Sequence, residues 1–385
     1  MHLELNAEEG ALIDAARAFA AEHIAPHAAE WELARHVPRD VFQAAAEAGL
    51  TGVLVPRHHG GKEARHVVAV RVLEELSSAC LAITFGLWVH NNALNAIERH
   101  GSGAPAERLA ASMLSGQRIG AFCLTEPDAG SDAAAITTHA LKVDGGWRIS
   151  GEKAWVSNGT HADVLVVYAQ TDASAGWRGI GAFLVDATGD GVTRTPPYEM
   201  LGGHALGLSG LRFEDCPVPD ESMLLGPPEG FKAAMDGIDK ARMFAAAMCC
   251  GILGASLSTA LSHAATRQAF GKPVLSFQGL QWQLADVATD LEAARLLTFG
   301  AADAFDRGET AAVAAAHAKK FASRVALDGI SQCMQAMGAA GSLMEHPPAR
   351  HLAAAKLAHY MDGTTEIQNL VISRGLLKPF GLDAG

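Results

Sequence analysis

Apolar positions along the chain change their spacing twice, and those changes divide it into three parts. From Ala7 to about Gly116 they recur at helical intervals, as in Ala11-Leu12-Ile13 followed by Ala16, Phe19 and Ala20. Gly60-Gly61 interrupts this part, and Ala104-Pro105 opens another helix. Around Ile119 the pattern turns to short strand-forming runs at 147–150, 154–157, 164–168 and 182–185, punctuated by Gly, Asp and Asn. These predict a small antiparallel barrel or sandwich. After Leu211-Arg212-Phe213-Glu214-Asp215-Cys216-Pro217-Val218-Pro219, Ala-rich helical patterns run from Gly230 to about Leu377, with turns at Gly271-Lys272-Pro273 and His346-Pro347-Pro348. Small residues dominate these helices, which permits close approach in a bundle that also packs against other subunits. The expected fold is α+β, mainly α, in three domains: helical (1–118), β (119–228) and a helical bundle (229–385). Alternating βαβ units and a Gly-x-Gly-x-x-Gly after a strand are missing, which argues against a Rossmann site.

Composition narrows the classes. Of 385 residues, 49% are hydrophobic and 19% charged, enough for a sizeable core and too apolar for wholesale disorder. A net charge of −12 argues against holding nucleic acid or anionic lipid electrostatically. Cys80, Cys123, Cys216, Cys249, Cys250 and Cys333 lack Cys-x-x-Cys spacing and read as buried thiols in a reducing compartment. The histidines form no ligand-like cluster; His23/His27 read as a solvated helix face, and no metal is expected. Residues 1–9 have neither a basic nor an apolar region, so no secretory signal is expected. The apolar stretch from Met243 to Leu261 reads as a helix buried on all sides rather than a membrane span. The cytoplasm is the expected compartment.

Four segments carry candidate chemistry. Leu124-Thr125-Glu126-Pro127-Asp128-Ala129-Gly130-Ser131-Asp132 predicts a rigid turn at a helix-to-β junction, presenting hydroxyls and backbone N–H groups. In Lys153-Ala154-Trp155-Val156-Ser157-Asn158-Gly159, strand alternation puts Trp155 and Ser157 on one face, suited to stacking on a planar ring and bonding its edge, or to plain core. Arg267-Gln268-Ala269-Phe270-Gly271-Lys272-Pro273 ends a long helix, where Arg267 complements the helix dipole or binds phosphate. In Met361-Asp362-Gly363-Thr364-Thr365-Glu366-Ile367-Gln368, the simplest reading of Asp362 is a helix N-cap ahead of Ile367, Leu370 and Val371.

In order and spacing these segments, with the strand ending Phe213-Glu214-Asp215, resemble the acyl-CoA dehydrogenase family over nearly the whole chain. The resemblance implies a helical domain, a middle β-domain and a C-terminal four-helix domain, assembled as a homotetramer that binds FAD. It implies that Asp362 is the catalytic base, removing the α-proton of an acyl thioester while a β-hydride passes to flavin N5. Thr125, Trp155 and Ser157 match positions that hold the flavin ring; Ser131 matches a contact to the pantetheine arm, and Arg242 a position near substrate. Arg267, Phe270, Gln335 and Gly338 match positions that hold the adenosine and pyrophosphate of a partner's FAD, and Thr364 and Glu366 match cofactor contacts beside the base. The implied partners are an acyl thioester on CoA or a carrier protein, and an electron-transfer flavoprotein.

The chain departs from that pattern in places. The family normally has glutamate where Asp362 stands, and one methylene shortens reach by roughly 1.3–1.5 Å, in a setting where about 1 Å can cost a hundredfold in rate. Ala353-Ala354 replace a usual Arg-Asp pair, His204 stands where Arg is frequent, and Ala241 offers no alternative base beside Arg242. Two other readings stay open: a same-fold flavoenzyme with different chemistry, such as a nitroalkane-oxidase-like or non-redox thioester enzyme, and a catalytically silent FAD-binding protein.

Overall fold

Asn6 starts the first helix with a reciprocal cap: its side chain accepts from the Glu9 N–H while the Glu9 carboxylate accepts from the Asn6 N–H. The computed structural model describes residues 4–382. From that cap run α1 (Ala7–Phe19), α2 (Ala28–Ala34), α3 (Asp40–Glu47), α4 (His66–Ser77), α5 (Leu81–His100) and α6 (Gly103–Leu114).

The chain then enters the sheet: β1 (Gly120–Cys123), β2 (His139–Val143), β3 (Gly146–Val156), β4 (Val164–Gln170), β5 (Ile180–Asp186), β6 (Val192–Arg194), β7 (Ser209–Pro219) and β8 (Met223–Leu225). Their order is β6-β7-β3-β2-β4-β5-β8, with β1 also on β4. Most pairings are antiparallel, as the alternation predicts. β1 joins β4 in parallel, because it arrives from α6 rather than by a hairpin.

The last part holds α7 (Glu229–Thr266), the short hairpin β9 (Gln268–Ala269) and β10 (Lys272–Pro273), α8 (Gln278–Asp306), α9 (Ala312–Met337), α10 (Pro347–Ala358) and α11 (Thr365–Leu377). Within α7, 72% of the most apolar 18-residue stretch is buried in the protein, so its hydrophobicity is that of a core helix. All the cysteines are free and buried.

Close helix packing follows from small residues. A Cβ on Gly251 of α7 would lie 2.3 Å from the Glu74 carbonyl oxygen and 2.1 Å from the Ser77 hydroxyl, so α4 presses its backbone onto this glycine. The first and last helical parts consequently share one core, in which Phe19, Leu73 and Trp88 join Phe244, Leu253, Val287 and Ile330. The sheet has its own core around Ile149, Leu165, Phe183 and Phe213. A third cluster fastens α5 and α6 to β4 through Leu94, Ile97, Met113, Val164 and Val166.

Candidate active site

Asp362 lies in the turn between α10 and α11, and it is not the helix cap that local sequence suggests. Thr364 is the N-cap of α11, its hydroxyl accepting from the Ile367 N–H at 3.4 Å. Asp362 instead has φ of 52° and Gly363 has φ of 93°, so consecutive left-handed residues swing the chain around the carboxylate. For a residue with a Cβ this conformation costs about 1–2 kcal/mol, and the surroundings must hold it in place. Lys319 of α9 donates to the carbonyl oxygens of His359 (3.1 Å) and Gly363 (2.5 Å). Gln368 of α11 donates to Gly363 O at 2.9 Å and to Asp362 O at 3.4 Å.

The electrostatics of this turn suit proton transfer. Burial pushes the Asp362 carboxyl up to about 6, against the opposing pull of Lys319 and Arg242. Arg242, 6% exposed on α7, pairs with Asp239 and keeps its Nε without a partner. Lys319 is 1% exposed, and burial lowers its ammonium to about 8 although Asp362 opposes that change. A carboxyl of near-neutral acidity between buried cations is ionised at neutral pH and basic enough to accept a proton.

The 124–132 loop follows β1 rather than leaving a helix directly, and a buried ion pair anchors it. Lys153, fully buried on β3, donates to Glu126 Oε1 at 2.8 Å and to the Leu124 carbonyl at 2.9 Å. Glu126 also accepts from the N–H groups of Thr137 and Thr138. Burial alone would raise the Glu126 carboxyl, but the Lys153 charge and these hydrogen bonds hold it down at about 2. The Ala154 N–H donates to Thr125 O at 2.9 Å, seating Thr125 beside the strand that carries Trp155, while Ser131 is exposed further along the loop.

Regular alternation through Trp155 and Ser157 does not survive. β3 bulges between Lys153 and Val156, Trp155 has φ of 56°, and the strand ends at Val156. The bulge turns the indole outward, 55% exposed and stacked on Tyr198 at 4.3 Å, while Ser157 sits buried in the following turn. One indole face is covered by Tyr198 and the ring remains accessible to another planar group.

Within one chain the remaining candidates divide between distant places. Thr364 and exposed Glu366 flank Asp362 at the start of α11, and Arg242 faces it from α7. Arg267 caps the far end of α7, about 38 Å from Arg242 at ~1.5 Å per residue. Phe270 and Gly271 are both left-handed at the tip of the β9–β10 hairpin, with the Phe270 ring 95% exposed. Gln335 and Gly338, at the end of α9, are exposed roughly 24–28 Å along that helix from Lys319 by the same rise. Along their helices, Arg267, Gln335 and Gly338 thus lie far from the Arg242 and Lys319 ends that adjoin Asp362.

Among the departures, His204 is not idle. Its N–H and ring Nδ1 both meet Glu32 Oε1, at 3.1 and 3.0 Å, tying the middle-domain loop to α2. The Ala353 side chain lies so close to Gly202 that a Cβ there would meet it at 2.6 Å, so two small residues pack tightly here.

Sequence reading missed Lys319, Gln368 and the Glu126–Lys153 pair as site-supporting groups. For Lys319 a signal existed: it shares a helix face with the buried Ala315, Ala318 and Ala322, where a free lysine is costly.

Comparison with known proteins identifies the family. The acyl-CoA dehydrogenase N-terminal, middle and C-terminal domain descriptions match residues 6–117, 121–216 and 228–377. The mitochondrial short-chain specific acyl-CoA dehydrogenase of Mus musculus is 36% identical over 365 residues, covering 94% of this chain and 89% of the relative. Butyryl-CoA dehydrogenase from Megasphaera elsdenii superposes with a TM-score of 0.93 at 32% identity, over 98% of this chain and all of that one. A structure of PigA with FAD and proline superposes with a TM-score of 0.91 at 27% identity, covering 98% of this chain and 99% of its own. The chain belongs to the acyl-CoA dehydrogenase family.

Proposed function

We propose that Asp362 is the base with which this FAD-dependent acyl-CoA dehydrogenase removes the α-proton of its thioester substrate. The observation that carries the assignment is the left-handed Asp362 turn, whose carboxyl is pushed up to about 6 and faces the buried cations Arg242 and Lys319. A carboxylate in bulk water would be too weak a base for a thioester α-proton. An acyl chain that displaces more water from the turn raises its basicity further.

Thr125, Trp155 and Ser157, with Thr364 and Glu366 beside the base, fit one end of FAD. The half-exposed indole, covered on one face by Tyr198, is the feature that fits a flat ring. Arg267, Phe270, Gln335 and Gly338 fit the other end, and the distance of Arg267, Gln335 and Gly338 along their helices from Arg242 and Lys319 favours the FAD of a second copy. When bound, FAD supplies the acceptor for the β-hydride. Ser131, exposed on the anchored loop, would meet the pantetheine arm, and Arg242 would orient substrate beside the base. A homotetramer and an electron-transfer flavoprotein complete this reading, with domains divided at 118/119 and 228/229.

Anaerobic titration of the yellow protein with straight, branched and cyclic acyl-CoAs tests it. Wild type should bleach with at least one of them. Asp362→Asn should keep its FAD and lose bleaching; full bleaching by that variant removes Asp362 as the base.

A further inference from the structure

We propose that Lys319 is a positioning residue for the base: hydrogen-bonded to the carbonyls of His359 and Gly363, its buried ammonium holds the Asp362 turn and supplies the positive field that keeps the carboxylate ionised. This rests on the assignment of Asp362 as base. The two buried lysines of this protein make an instructive pair. Lys153 has its charge cancelled by direct contact with Glu126 at 2.8 Å. Lys319 is as deeply buried, yet its hydrogen-bond acceptors are both backbone carbonyls, His359 O and Gly363 O, on either side of the Asp362 position.

Burying an ammonium costs several kcal/mol even after relaxation, so an opposite charge nearby must offset it. Asp362 is the largest charge acting on Lys319. A direct ion pair would occupy the carboxylate oxygens with a competing donor. Anchoring the ammonium on the backbone leaves those oxygens open to a substrate proton while the field still acts.

The other groups around the turn do not duplicate this role. On α7, Arg242 faces Asp362 but is paired with Asp239, and Cys249 faces Lys319 as a thiol pushed up to about 12, hence neutral. After α10, burial pushes the pKa of His359 down, which favours its neutral form. On α11, Glu366 points into solvent, and Gln368 holds the turn without charge.

The test is stopped-flow flavin reduction by an accepted acyl-CoA across pH 5–9, in wild type, Lys319→Met, Lys319→Gln and Lys319→Arg holoenzymes. Removing the cation should move the apparent pKa for reduction upward by about one unit or more, slowing reduction at least about twofold at pH 7 and about fivefold at pH 6, with little change at pH 9. Lys319→Gln, which can still donate to the carbonyls, should keep a higher high-pH rate than Lys319→Met. Lys319→Arg should leave the apparent pKa in place. A folded, FAD-loaded Lys319→Met with an unshifted profile overturns the proposal. Failure of both neutral variants to fold also overturns it, leaving Lys319 as a purely structural cation. Failure of the Asp362 assignment shows separately, as bleaching by Asp362→Asn.

Discussion

At Asp362, function and stability pull in opposite directions. Its carboxyl is raised from an ordinary 3.8 to about 6 by burial, so above pH 6 the folded protein carries a charge that the unfolded chain solvates better. Well below pH 3.8 the group is protonated in both states and contributes nothing. Asp362→Asn, which mimics the protonated acid, should therefore be more stable than wild type at pH 8 by on the order of 1–3 kcal/mol, with the gain vanishing toward pH 4. Denaturant midpoints at both pH values measure this, and a gain independent of pH would contradict the burial argument. The same titration predicts that flavin bleaching by substrate accelerates as pH rises through about 6 in wild type. Local sequence could name Asp362 as a candidate but described it as a cap. The cap is Thr364, because the left-handed pair Asp362-Gly363 moves the helix start by two residues.

Elements are where the cofactor-facing surface is made rigid. The Glu126–Lys153 pair pins the loop bearing Thr125 and Ser131 to the strand bearing Trp155. Breaking a buried pair by removing one partner costs about 3–5 kcal/mol, so Lys153→Met should lower the melting temperature and weaken FAD retention, both measurable on the purified protein. Because Glu126 is depressed to about 2, the pair's contribution is complete above the unfolded carboxyl's range and is lost only as pH falls through about 2. Retained FAD and an unchanged melting temperature in Lys153→Met would refute the anchor. Between helices, Gly251 is the tightest joint. Gly251→Ala should cost roughly 1–3 kcal/mol by overpacking, because a new methyl meets the Glu74 backbone rather than a movable side-chain end. The strand pattern foretold β3 but not its bulge, since the bulge answers to the partner strand β7 and leaves Trp155 facing outward.

For the whole molecule, the proposed assignment of Arg267 to a second copy's FAD would make assembly part of the site. Phe270, 95% exposed on a left-handed hairpin tip, and Trp282, 62% exposed on α8, are large apolar surfaces that a second copy would cover. Phe270→Ser should shift sedimentation velocity toward smaller species and release FAD together with the loss of assembly. An unchanged assembly with unchanged FAD would show that the hairpin tip serves neither. The shared core of the first and last helical parts also means that the bundle does not stand apart from the N-terminal helices, although the change of texture at Ile119 suggests a clean boundary.

By itself, the sequence determined the three-part order of helices, sheet and helices, the family, and the short list of residues that carry chemistry. Those depend on local periodicity and on side-chain types at set spacings, which the chain carries without folding. Only the tertiary structure decided that Asp362 sits in a left-handed turn with a weakened acidity, that Trp155 turns out of its strand, and that Lys319 stands behind the base. Each of these depends on burial and on contacts between segments tens to hundreds of residues apart, and a carboxylate's basicity is set by such surroundings rather than by its neighbours in sequence.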